Sequence, residues 1–147
     1  MNLFSSLLLS FVFVLLGVNR IINIKRNTRA LYEAVKFMNS VKNNIRFLSM
    51  DYVTLIENAV NENYAYITFD KCITISDCVG EKIQKEFLEF TKKIGTTDEE
   101  GQLCLCDEYI ERFREFYKES ASKEKAKVNV AGAISVLCVV CVLVLGG

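Results

Sequence analysis

The chain has no histidine, no proline and no tryptophan, and only seven of its 147 residues are glycine. Without histidine it lacks the commonest general base, the usual zinc ligand and every triad built on imidazole. No enzyme is expected, and no cofactor. Without proline, and with only Gly80, Gly95 and Gly101 between residues 25 and 127, nothing interrupts long helices. No glycine loop carries the lysine that cradles a nucleotide phosphate, because Gly95 and Gly101 flank an acidic turn instead. A nucleotide that powered this system would be hydrolysed by another subunit. A concentrated basic face is also missing, since 18 basic residues balance 18 acidic ones. Nucleic acid is not an expected partner.

The six cysteines do not form a disulfide framework in this reading. Cys138 and Cys141 lie in a terminal apolar run, and Cys72, Cys78, Cys104 and Cys106 fall in a segment expected on the reducing side of a membrane. A four-thiolate metal site is disfavoured as well. On a helix, Cys104 and Cys106 point about 200° apart and cannot hold one ion together.

Charge is absent from both ends. Val128 to Gly147 carries none, and twenty helical residues span roughly 30 Å, the thickness of a bilayer core. Lys123, Lys125 and Lys127 lie just outside it, a basic flank that marks the cytoplasmic side. Leu3 to Val18 is a second apolar run, extendable to about Ile24 if Arg20 snorkels. Its basic residues (Arg20, Lys25, Arg26, Arg29) follow the run, the reverse of a signal peptide. The expected topology is therefore two transmembrane segments, residues 1–24 and 128–147, with both ends outside and residues 25–127 cytoplasmic. Gly132 and Ser135 offer a small-residue stripe for another membrane helix.

Between the ends, apolar residues recur at helical spacing. Leu31, Ala34, Met38, Val41, Ile45, Leu48 and Tyr52 alternate threes and fours, the seam of a helix packed at a shallow angle, with Val35 and Phe37 widening it. Asp51 caps a second expected helix through Val53, Leu55, Ile56, Ala59 and Val60. Tyr64 to Phe69 has strand composition but nothing obvious to pair with, so a short helix or irregular link is preferred. Ile83, Phe87, Phe90 and Ile94 mark the next helix, which Gly95 ends. Thr97 at the N-cap would place Glu100 at N3 of a last helix carrying Leu103, Cys106, Ile110, Phe113 and Tyr117. That helix either continues to the C-terminal run or breaks near Ser120. The fold class expected is all-α, an antiparallel cytoplasmic helical bundle between two transmembrane helices.

Asp98, Glu99 and Glu100, with the outward Glu108, Glu111 and Arg112, are the candidate partner-docking residues. Gly95 and Gly101 either shape a tight corner or take part in binding.

The run from Phe90 to Gln102, Cys106 to Phe113, and the lysine-rich lead into a terminal apolar run resemble stage III sporulation protein AB of endospore-forming bacteria. The specific part is Ile94, Gly95, Thr96, Thr97, Asp98, Glu99, Glu100, Gly101 and Gln102. These fill a family pattern of hydrophobic residue, glycine, small residues, acidic residues, glycine and glutamine. The resemblance implies a cytoplasmic region similar to the inner-membrane platform protein of type II secretion and type IV pilus machines. It implies a non-catalytic adaptor in the mother-cell membrane, coupling a cytoplasmic secretion-type ATPase to the membrane subunits of a sporulation channel. The lipid bilayer is the other partner implied. A small pore-forming or membrane-remodelling protein acting without an ATPase is the alternative.

Overall fold

The computed structural model describes residues 3–48, 54, 58, 62–70 and 72–146. Two long helices dominate it: α1, Leu3–Leu48, and α3, Glu99–Gly146. Between them lie a β-hairpin, β1 (Ile67–Phe69) and β2 (Ile73–Ile75), a 3-10 turn at Asp77–Val79, and α2, Glu81–Lys93. At 1.5 Å per residue, α1 and α3 are rods of roughly 70 Å. They run antiparallel, and two pairs fix the register: Lys42 with Asp107, and Thr28 with Ser120 at 2.9 Å.

The seam expected on α1 is the core. Leu31, Ala34, Met38, Val41 and Ile45 are buried, and across from them lie Cys106, Ile110 and Phe113 of α3. Leu48's side chain and Tyr52 lie outside the described residues, as does most of the helix expected after Asp51. Phe37 does more than widen the seam. Its ring is 2% exposed and sits 5.8 Å from Phe69, 5.8 Å from Phe87, 5.9 Å from Tyr64 and 6.4 Å from Phe90. Among the described residues it is the one ring that meets the hairpin, the link before it and α2 at once.

Tyr64 to Phe69 does contain a strand, and its partner is only a few residues away. Ile67 pairs with Ile75, Thr68 with Thr74 and Phe69 with Ile73, antiparallel. Ile67, Ile73 and Ile75 are buried, whereas Thr68 and Thr74 face outward, the period-two pattern of a half-buried sheet. An isolated hairpin is marginal, and this one is tied down. The Tyr66 amide donates to the Glu33 carboxylate of α1 at 2.8 Å. Below it, Glu62 accepts from Ser40 and Tyr64 at 2.8 Å each and pairs with Lys36 at 3.2 Å. Burial alone raises the Glu62 carboxyl, but these donors outweigh it and hold the group below its ordinary range. The sign follows from linkage: this clamp contributes fully above the ordinary carboxylate pKa and is lost as pH falls through the lowered one.

Gly80 joins the 3-10 turn to α2 at φ 83, ψ 154. That region is essentially reserved for glycine, although an added Cβ would touch nothing within 4 Å. Gly80→Ala is expected to cost about 1–2 kcal/mol through backbone strain alone. Urea unfolding monitored by circular dichroism would show it as a lowered midpoint with unchanged slope. Gly95 follows α2 with φ 83, the position of a left-handed cap.

The start of α3 differs from expectation by one residue. Asp98, not Thr97, is the cap: its Oδ1 accepts the Gly101 amide at 3.1 Å, and Gln102 donates its amide to the Asp98 carbonyl at 2.9 Å. A carboxylate at the positive end of a helix is a better acceptor than a hydroxyl. Glu100 therefore falls at N2, and the capping box is not formed. Gly101 fits because a Cβ there would lie 2.7 Å from Asp98 Oδ1 and 3.1 Å from Thr97 Oγ1. Asp98→Ala is expected to lower stability by about 1 kcal/mol, with Asp98→Asn losing much less, in the same unfolding measurement.

Further along, α3 continues through Ser120 without a break, and both long helices pass unbroken through residues 24–25 and 127–128. The expected transmembrane helices are not found. Among the described residues no helix is long and apolar enough to cross a membrane. Asn19, Arg20 and Asn23 cut the first apolar run, and the second begins only after Lys123, Lys125 and Lys127. The fold is a bundle of three described helices with a β-hairpin, not a bundle between membrane spans.

Candidate functional site

The docking residues expected from sequence fall into separate groups. Asp98 is occupied as a cap, and the same corner is closed by Gln102 Nε2 donating to the Thr97 carbonyl at 2.8 Å. Glu99 and Glu100 project from the first turn, exposed. Thr96 Oγ1 donates back to the Lys93 carbonyl at 2.6 Å, while Ile94 is buried. The stretch Ile94 to Gln102 is thus a helix-to-helix corner whose polar groups mostly serve the turn itself.

Roughly 21 Å up the helix, fourteen residues from Asp98, the second group forms a cluster. Arg112 Nη2 meets Glu108 Oε1 at 2.7 Å, and Arg112 Nη1 lies 3.6 Å from Glu86 Oε2. The guanidinium also lies 5.3 Å from the centre of the Tyr109 ring. Glu111 turns to Arg114 at 3.8 Å. Glu86, on α2, was not visible as a member from sequence. Its side chain is 17% exposed and its Oε2 is buried with no hydrogen bond, leaving Arg112 as its compensating charge. The signal was its place between Ile83 and Phe87, on the flank of the apolar face. Chemically this is an α2–α3 tie rather than a poised acid.

The thiols do not assemble either. Cys106 is fully buried, and burial, reinforced by Asp107, pushes its thiol up to about 12. Cys104 is exposed on the opposite side of α3, and Cys72, Cys78, Cys104, Cys106 and Cys141 are free. Among the described residues no three cysteine, aspartate or glutamate side chains converge where a metal ion would sit.

The feature that sequence reading assigned elsewhere lies at the open end of the α1–α3 hairpin. Leu8, Phe11, Leu15, Val18 and Ile22 on α1, and Val130, Ile134 and Leu137 on α3, stand 47–62% exposed. Gly17, Ile21 and Ile24 are less exposed, as are Ala121, Glu124 and Ala131. In the register set by Thr28 and Ser120, these two sets face each other. The large apolar residues thus occupy outer faces, and half-buried residues line the seam between the two helices. A cleft of about 160 Å³ opens beside that seam at Asn27, whose Oδ1 is buried without a partner.

No family model, no curated protein and no solved structure matches this chain. The resemblance to stage III sporulation protein AB is not supported, and the absence of a spanning helix among the described residues removes the architecture it implied. The channel-platform role, the pore-forming alternative and the two-pass location in the mother-cell membrane fall with it. The secretion-type ATPase and the channel subunits lose the likeness that suggested them. What remains is a helical bundle with a corner, a salt-bridge tie and an uncovered apolar end.

Proposed function

We propose that this chain is a non-catalytic interaction module: a bundle that holds two long helices in register and presents their outer faces to protein partners. The observation that carries the reading is the exposure of eight large apolar side chains on those faces. Monomeric proteins rarely leave a contiguous patch of that kind in water. Support for the non-catalytic half comes from how the ionisable groups are used. The chain has no histidine, Asp98 caps a helix, and Arg112, Glu108 and Glu86 neutralise one another.

Cys141 supplies the test, because it continues the α3 face at the spacing of Val130, Ile134 and Leu137, and is itself exposed in the single chain. Cys72 and Cys104 are exposed on the bundle, away from that face. In intact cells, where protein partners are present, maleimide is expected to label Cys72 and Cys104 at least tenfold faster than Cys141, read by peptide mass spectrometry. Equal rates at all three would mean that nothing covers the apolar end, and the interaction reading would fail.

A further inference from the structure

We propose that the cleft beside Asn27 binds a small organic acid, an apolar body of about one ring carrying a carboxylate. The cleft measures about 160 Å³, and a cavity of ~150 Å³ lined by aliphatic and aromatic side chains already accepts benzene. Its walls change character along the hairpin. Leu31 of α1, Ile83 of α2 and Phe116 of α3 form the end nearest the bundle core. Lys123 and Lys127 lie on the other side of the Thr28 and Ser120 pair, Lys127 about 10 Å beyond it. All three described helices thus contribute, in an order that suits an apolar body with an anionic end.

Donors and positive charge are what the cleft has to spare. Glu119 is the one carboxylate on its wall among the described residues, and Lys123 already neutralises it at 2.6 Å. Lys127 makes no ion pair among the described residues. Asn27 offers groups of the same kind. Its oxygen is buried and its amide bonds to no described residue, so its two N–H donors are what it presents.

The surroundings add to the field. Lys82 stands 5.7 Å from the centre of the Phe116 ring, and Lys25, Arg26 and Arg29 flank Asn27 along a helix with no acidic residue before Glu33. A concave site walled by one sign of charge concentrates the opposite ion. A carboxylate only accepts hydrogen bonds, so it answers both the Asn27 amide and the Lys127 ammonium. A neutral apolar molecule would leave those donors unused, and a bare anion would leave the apolar end empty.

3-Phenylpropionate is the probe, titrated into the purified full-length chain and followed by amide proton–nitrogen NMR. Saturable shifts are expected at Asn27, Ser120, Lys123 and Lys127, at millimolar concentration or below. 3-Phenylpropanamide, of the same shape without the charge, should bind at least tenfold more weakly, as should inorganic phosphate. Lys127→Gln should weaken 3-phenylpropionate at least threefold. Lys123→Gln and Lys127→Gln together should weaken it at least tenfold, with the rest of the spectrum unchanged. Shifts that do not saturate or that scatter over the surface would overturn the proposal, as would shifts confined to residues 8–22. Equal binding of the amide would reduce the cleft to an apolar crevice, and equal binding of phosphate would reduce it to a basic patch; either overturns the assignment. Binding that survives the double variant unchanged would do the same. The cleft is formed within one chain, so each outcome is independent of whether a partner covers the apolar end.

Discussion

Phe37→Ala is expected to lower the free energy of unfolding by about 3–5 kcal/mol, a large effect for a single truncation. The ring is 2% exposed and packs against Tyr64, Phe69, Phe87 and Phe90. Those four rings come from three separate pieces of chain, so the cavity left behind cannot collapse by moving one element. Part of the cost is lost transfer energy, and the rest is edge-to-face contact forfeited with several partners. For a domain of this length the loss corresponds to a fall in Tm on the order of 10 °C. Phe37→Leu should recover part of it. Thermal unfolding followed at 222 nm is the measurement. A fall of less than 1 kcal/mol would mean that the hairpin is not held by this ring.

The second large effect is expected at Arg112. Arg112→Ala removes the cation facing Glu86, whose carboxylate is 17% exposed and has one oxygen without a hydrogen bond. Breaking a buried pair from one side costs more than removing both partners, because a lone charge is stranded. Since Arg112 is itself 41% exposed, the expected loss is about 2–3 kcal/mol, below the range for a fully buried pair. Glu86→Gln in the same chain should restore at least half of that loss, because a neutral amide tolerates the site better. Urea midpoints of the two single variants and the double variant give the coupling. If Glu86→Gln brings no recovery, Arg112 acts through Glu108 and Tyr109 alone, and α2 is held to α3 only by apolar packing.

Much of the bundle could be read from spacing. The three-four alternation of Leu31 to Ile45 and of Leu103 to Phe113 fell on buried or partly buried faces, since apolar periodicity reports burial directly. The β-hairpin was harder. Ile67-Thr-Phe had the right composition, but its partner, Ile73-Thr-Ile, is only three residues long. Strand pairing is a relation between two segments, and neither is convincing alone. The cap slipped by one residue because threonine and aspartate are both good caps, and only the geometry of Gly101 decides between them. Glu86 was missed because its importance comes from Arg112, which lies 26 positions later in sequence.

The ends misled for a different reason. An uncharged run beside lysines has one obvious use, and composition alone does not distinguish a span from the outer face of a paired helix. What separates them is the other side of each helix. Ile21 and Ile24 are half-buried, whereas Leu8 and Leu15 are exposed. Such covering depends on the register between two distant segments, which no local pattern contains. The family likeness failed similarly, because its specific part was nine residues that the fold spends on a corner.

The hydroxyl pair of Thr28 and Ser120 bears on how freely the long hairpin can slide. Thr28 also donates back to the Ile24 carbonyl at 3.1 Å, so both hydroxyls are satisfied in one alignment. Shifting α1 by one turn, about 5.4 Å, would break the bond between the two hydroxyls, leaving Thr28 only its bond to Ile24 of the same helix. The pair therefore works as an indexing pin: it supplies little net adhesion, but it penalises every neighbouring notch. Two rods that meet mainly through interchangeable aliphatic residues would otherwise have several near-equal alignments. With the pin in place, the angular position of residues near Leu15 is set by a contact thirteen residues away, and the two ends of the hairpin turn as one body.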